Sequence, residues 1–178
     1  LGRGGGSNSL AVDEERDQIH QGADDNASGV AAILEIAEFI ADQKQSGKLT
    51  AKRDLMVAAW SGEELGLFGS QAFLESFDKL FPDAPQAVVD PEAERMAKAH
   101  GMSPQAAPLS PAIAAYLNLD MVGRLRESLV IQGIGSSPGF EGLVKRRNVP
   151  VRLPLTLDRT STSLPTDASA FAARDVPI

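Results

Sequence analysis

Leu55-Met56-Val57-Ala58-Ala59-Trp60-Ser61-Gly62-Glu63-Glu64 is the stretch on which the fold turns. Its first six residues are an unbroken apolar run with no polar alternation, the pattern of a strand covered on both faces of a sheet. Such strands belong to parallel sheets flanked by helices, and this one stops abruptly at two adjacent carboxylates. Upstream, Val30, Ile33, Leu34, Ala37, Phe39, Ile40 and Ala41 recur at helical spacing behind the cap-type residues Asp25, Asn26 and Ser28, and Ser46-Gly47 closes the segment. That pattern predicts a helix over 27–45. Residues 1 to 24, rich in Gly, Ser, Asn, Asp and Glu, predict a loop.

Downstream, Ala72, Phe73, Phe77 and Leu80 follow Gly66-Leu67-Phe68-Gly69 and predict a second amphipathic helix, ended by Phe81-Pro82-Asp83-Ala84-Pro85. Most of the prolines lie between there and Pro111, so 82–111 reads as a surface insertion. Within it, Asp90-Pro91-Glu92 has the makings of a helix start and His100-Gly101 of a helix end, which predicts a short helix over 91–100. Ile113–Leu119, Leu129–Gln132 and Val151–Leu155 then read as strands, and Gly139–Arg147 as a helix. The alternation predicts an α/β fold, a three-layer α/β/α sandwich on a mixed, mostly parallel sheet.

Composition limits the function. The 178 residues fit one domain, 1–178, and 43% apolar with 23% charged residues is ordinary for a globular chain. With 17 Lys plus Arg against 24 Asp plus Glu, the net charge is −7, which argues against nucleic acid as a partner. Cysteine is absent, so thiolate metal sites and cysteine nucleophiles are excluded, and any metal must be held by oxygen and imidazole. No window approaches the ~18–20 apolar residues of a membrane span. The chain has no initiator Met and ends at Val176-Pro177-Ile178 as though entering an apolar strand, so it reads as truncated at both ends.

In open α/β sheets, ligands sit beyond the carboxyl ends of the strands. Three acidic groups fall at such places: Glu63-Glu64 after 55–60, Asp120 after 113–119, and Asp24-Asp25 ahead of the first helix, whose dipole favours negative charge. Two unit charges about 4 Å apart at an effective dielectric of 20 repel by ~4 kcal/mol, so converging carboxylates call for a divalent cation.

Three segments carry a resemblance. Gly22-Ala23-Asp24-Asp25-Asn26-Ala27-Ser28-Gly29, Ser61-Gly62-Glu63-Glu64-Leu65-Gly66-Leu67-Phe68-Gly69-Ser70 and Asn118-Leu119-Asp120-Met121-Val122-Gly123-Arg124 together resemble the co-catalytic dizinc peptidases, the group of bacterial leucyl aminopeptidases and glutamate carboxypeptidase. The likeness runs along the whole chain. It implies two zinc ions in the intact domain, bridged by Asp25, with Glu64 a ligand of one and Asp120 of the other. It also implies Glu63 as general base, Asp24 and Asn26 orienting the ligands and capping the helix, a peptide substrate, and a periplasmic or secreted location. The family's site further needs two histidines. His20 and His100 are the only ones here, and neither falls at a ligand position of the resemblance, so both read as surface residues. Residues 1–178 alone are therefore expected to bind zinc weakly, if at all, and to lack peptidase activity.

The rival readings are a non-catalytic scaffold of the same fold, as in transferrin-receptor-like proteins, and a glutaminyl cyclase. Gly135-Ser136-Ser137-Pro138-Gly139 fits the G-x-S-x-G pattern of serine hydrolases, but no histidine follows it to serve as base. Asp167 reads as a strand-to-helix cap.

Overall fold

The computed structural model describes residues 18–19, 21–87, 90–92, 95, 99, 107–160 and 164–178. They divide into two compact units, one holding the chain up to Val57 together with Leu119–Leu125, the other Ala58–Asn118 and Arg126–Ile178. His20, His100 and most of the predicted loop 1–24 lie outside the described residues. Of the predicted helix 91–100, Pro91, Glu92, Arg95 and Ala99 are described and helical, and the Glu92 amide donates to Asp90 Oδ1 at 2.9 Å, the capping expected of that aspartate.

In the first unit, an irregular turn, Ala23–Ser28, feeds α1, Gly29–Gln45. Gly22 takes the left-handed conformation (φ 66°) that reverses the chain, and Asp25 and Asn26 are non-helical. The Asp25–Asn26 peptide bond is cis. The helix thus starts two residues later than the apolar pattern indicates, because the polar side chains ahead of it serve the turn. Of the three cap-type residues, Asn26 does the capping: the Gly29 amide donates to its Oδ1 at 3.0 Å. Gly47, at φ 69°, ends α1 as the Ser46-Gly47 signal predicts.

The second unit has its core where α2, Phe68–Glu75, and α3, Phe77–Leu80, meet the last residues of the chain. The single helix predicted over this stretch breaks at Ser76 (φ −94°, ψ 0°). Leu74, Phe77, Leu109, Ala168, Phe171, Val176 and Ile178 are buried together. Phe171 stacks on Tyr116 with ring centres 3.8 Å apart and lies 6.1 Å from Trp60, whose ring also meets Phe73 at 5.1 Å. Leu109, though at the end of the proline-rich stretch, is a core residue, tied by its amide to Arg174 O at 2.8 Å.

Further along, β1 (Leu129–Ile131), α4 (Phe140–Asn148) and β2 (Leu155–Leu157) make a β-α-β crossover, with Leu129 opposite Leu155 and Ile131 opposite Leu157 in a parallel pair. The chain closes with α5, Ala168–Ala172. Helices with a parallel two-stranded sheet agree with an α/β class. The strand predicted at Val151–Leu155 sits later, at Leu155–Leu157. Asn148 is the cause: its side chain accepts from the Leu153 amide at 2.9 Å and donates to Leu153 O at 2.8 Å, and with Arg152 at φ 59° it holds the intervening residues in a turn.

Two other predicted strands are not in any ladder among the described residues. The run 55–60 is shared between the units. Leu55, Met56 and Val57 are 60%, 53% and 46% exposed, which a doubly covered strand would not be. Within 113–119, Ile113 closes a turn onto Leu109 O, the Tyr116 amide goes to Pro177 O at 2.8 Å, and Leu117 is exposed. An apolar run records a tendency to be covered, and a strand also needs a neighbour to receive its amides.

One ion cluster braces the crossover. Glu141, in the first turn of α4, receives Lys145 Nζ at 2.6 Å and the fork of Arg159, Nε at 2.7 Å and Nη2 at 2.6 Å. Chiefly through the Arg159 hydrogen bonds and then Lys145, its carboxyl falls from the ordinary 4.5 to about 2. A carboxyl whose folded pKa lies below its unfolded one stabilises the fold fully above the unfolded value and loses that contribution as pH falls toward the folded one. Acid unfolding of the wild type is therefore expected to show a loss of stability between about pH 4.5 and 2 that Glu141→Gln lacks, and equal pH profiles would contradict the assignment. The effect is small, as Arg159 is largely exposed to solvent and Glu141 partly so.

Candidate metal centre

The first unit brings two of the expected carboxylate segments together. The Met121, Val122 and Gly123 amides are taken up by three different side chains of the Ala23–Ser28 turn. Met121 N donates to Asn26 Oδ1 at 3.4 Å, Val122 N to Ser28 Oγ at 3.1 Å, and Gly123 N to Asp24 Oδ1 at 2.8 Å. Asn26 Nδ2 donates to Leu119 O at 3.0 Å, so this one side chain grips the backbone on both sides of Asp120. Ser28 Oγ donates back to Asp24 O at 2.6 Å, and Arg124 Nε stands 3.7 Å from Asp24 Oδ2. Alternate residues 24, 26 and 28 thus all serve the 119–123 turn. The side chain of Asp25, between two of them, is exposed and makes no hydrogen bond or ion pair among the described residues, whereas Asp120 is half-buried.

Glycine permits this approach. A Cβ on Gly29 would run into the Leu119 carbonyl oxygen and Asn26 Oδ1, and one on Gly123 would stand 2.8 Å from Asp24 Oδ1.

In the second unit, Glu63 and Glu64 occupy a tight loop. Glu63 O accepts the Gly66 amide at 3.0 Å and the Leu67 amide at 2.9 Å, while the Phe68 and Gly69 amides return to Gly62 O and Ser61 O. Gly62 (φ 71°) and Gly66 (φ 115°) supply the left-handed turns, and Leu67 is also left-handed at φ 61°. At Gly69 a Cβ would lie 2.7 Å from Ser61 O, so the glycines of the Ser61–Ser70 segment are what let it fold back on itself. Glu63 is half-buried and Glu64 exposed. The loop rests on Trp60, whose Nε1 donates to Tyr116 Oη at 3.0 Å, and Tyr116 donates in turn to Asn118 Oδ1 at 2.9 Å.

Zinc takes carboxylate oxygen and imidazole, with at least three protein ligands. Asp25 and Asp120 are donors of the right kind on turns bonded to each other. Among the described residues, however, no three Asp, Glu or His side chains are gathered closely enough to hold a metal ion. The described donor set is thus incomplete for zinc.

Two residues escaped the reading of the sequence. Ser28 was one generic cap-type residue among three, yet its hydroxyl joins both turns; the alternation of short polar residues at 24, 26 and 28 is the signal that marks it. Asp167 does not cap α5. Its side chain makes no cap bond, the Ala168 amide goes to Thr166 Oγ1 at 3.3 Å instead, and Asp167 Oδ1 is buried with no hydrogen-bond partner among the described residues, at 7% residue exposure.

Residues 9–178 match the sequence profile of peptidase family M28. The chain belongs to that family. This M28 chain is 39% identical over 62 residues to "Aminopeptidase NAALADL1" of Rattus norvegicus, and equally to that of Mus musculus, which covers 35% of the chain and 8% of each relative. It is 40% identical over 66 residues to "Probable glutamate carboxypeptidase VP8" of Zea mays, covering 37% of the chain and 9% of the relative. The matched part spans less than a tenth of those relatives' length. No solved structure matches the chain significantly. M28 membership makes this a chain of the peptidases, which are hydrolases, and agrees with the resemblance of its three acidic segments.

Proposed function

We propose that the protein carrying this M28 chain is a zinc-dependent exopeptidase, an aminopeptidase that cleaves the N-terminal peptide bond of peptides. The observation that carries this reading is the division of labour in the first unit: Asp24, Asn26 and Ser28 are spent on holding the Asp120 turn, and Asp25 is left open. Asp25, Glu64 and Asp120 are the residues that would hold zinc, and Asp24 and Asn26 would orient them. When bound, zinc supplies Lewis acidity toward the peptide carbonyl and makes water a nucleophile near neutral pH. The carboxylate of Glu63 takes the proton of the attacking water and passes it to the leaving amine.

In this reading 1–178 is one catalytic domain, a three-layer α/β/α sandwich with an insertion at 82–111, in a periplasmic or secreted enzyme. Neither His20 nor His100 matches a ligand position of the resemblance, so residues 1–178 by themselves bind zinc weakly and are inactive. The name of the Zea mays relative favours a second reading, a carboxypeptidase acting on C-terminal glutamate.

The test uses the full-length protein. It is expected to hydrolyse aminoacyl nitroanilides, to stop with a chelator, and to recover on adding zinc. Activity that survives complete metal removal, or none on any peptide substrate, would overturn the proposal. Release of C-terminal glutamate from acylated peptides without nitroanilide hydrolysis would select the carboxypeptidase.

A further inference from the structure

The peptidase chemistry makes no use of a cleft between α4 and β2. It has a volume of about 420 Å³ and is lined by Lys145, Asn148, Val149, Arg152, Leu155 and Leu157. Lys145, Asn148 and Val149 stand three and four residues apart, on one face of α4 and its end. Leu155 and Leu157 share one face of β2, while Thr156 turns the other way, its Oγ1 2.6 Å from Ser128 Oγ. The two leucines are half-buried and both cationic side chains exposed, so the cleft is apolar at its base and basic at its mouth. Arg152 is held there by its neighbours: its amide donates to Asn148 O at 2.7 Å, and the Asn148 side chain pins Leu153 beside it. Its φ of 59° is a left-handed conformation that an arginine keeps only where the surroundings impose it. The Arg152 side chain makes no hydrogen bond or ion pair among the described residues, whereas Lys145 is shared with Glu141. Residues 140–160 carry five Lys and Arg against two Asp and Glu, a local excess of positive charge in a chain whose net charge is −7.

We propose that this cleft is a binding site for a small carboxylate with an apolar tail, its head on the Arg152 guanidinium and its tail against Val149, Leu155 and Leu157. The arginine fork matches a carboxylate through two parallel hydrogen bonds. Because Lys145 is already neutralised by Glu141, the unpaired charge at the mouth is that of Arg152, which suits a singly charged head over a doubly charged phosphate. The volume falls within the roughly 300–1,000 Å³ of small-ligand sites, where apolar walls supply affinity and a few polar groups fix orientation. The site shares no residue with the peptidase chemistry proposed above and does not depend on it.

Calorimetric titration of the full-length protein with octanoate, 1-octanol and shorter carboxylates reads head and tail separately. Octanoate is expected to bind at least about tenfold tighter than 1-octanol, the worth of a charge-assisted hydrogen bond. Affinity is expected to rise by up to about fourfold per buried methylene from butanoate to octanoate. Arg152→Gly removes the guanidinium at a backbone position that glycine takes without strain, so thermal unfolding should stay close to wild type while octanoate binding weakens about tenfold or more. Val149→Asp, at a side chain 70% exposed, sets a like charge against the carboxylate and should weaken binding as well. Octanoate that fails to bind the folded wild type would overturn the inference. So would 1-octanol binding as tightly as octanoate, octyl phosphate binding more tightly than octanoate, or wild-type affinity in both variants. No arm of the experiment reads peptide hydrolysis or zinc, so its outcome is separate from that of the proposed function.

Discussion

Gly29→Ala is expected to destabilise the first unit by about 2–4 kcal/mol, although alanine is the better helix former by about 1 kcal/mol. The added methyl meets the Leu119 carbonyl oxygen and Asn26 Oδ1. Neither can retreat cheaply. The carbonyl is backbone and accepts Asn26 Nδ2, and Asn26 Oδ1 holds the Gly29 and Met121 amides. Relieving the clash therefore breaks bonds worth about 0.5–1.5 kcal/mol each and loosens the Leu119–Gly123 turn from the Ala23–Ser28 turn. Thermal unfolding with exchange of the α1 amides measures the effect, and Gly139→Ala is the control, since its Cβ would meet nothing within 4 Å at a φ of −84°. Equal stability of the two variants would show that the turns are not packed as described.

Glu63→Gln is expected to lower kcat of the full-length enzyme by about 10²–10⁴-fold, the usual contribution of a general base, equivalent to about 2.7–5.4 kcal/mol of barrier. Glutamine keeps the size of the side chain, and the amides that close the Ser61–Gly69 loop go to backbone carbonyls, so KM and zinc content should hold near wild type. Glu64→Gln should differ in kind, losing zinc along with activity. If Glu63→Gln lost its zinc and Glu64→Gln kept it, the two roles would have to be exchanged. If Glu63→Gln stayed fully active, neither glutamate would be the base.

What the sequence made legible follows from how local each signal is. α1 and α4 were readable because helical spacing and end signals lie within the segment itself, and so was the parallel pairing implied by an apolar run, a helix and a second run. Leu55–Trp60 and Ile113–Leu119 were not, because apolarity marks a wish for cover and says nothing about which edge receives the amides. β2 slipped because Asn148 captures Leu153, a side-chain choice that periodicity does not report. At the site, Asp25, Glu63, Glu64 and Asp120 stood out only through three segments taken together, as each alone is an ordinary turn or cap. The role of Ser28 was hidden because it depends on the non-helical backbone at Asp25 and Asn26, which sends alternate side chains toward one turn.

Anomalous diffraction at the zinc edge from crystals of the full-length protein would show whether these carboxylates hold zinc. Two zinc ions are expected, with Asp25 oxygens on both and Glu64 and Asp120 on one each, at about 2.0–2.2 Å. Zinc bound elsewhere with Asp25 and Asp120 uncoordinated, or no zinc in fully active protein, would contradict it.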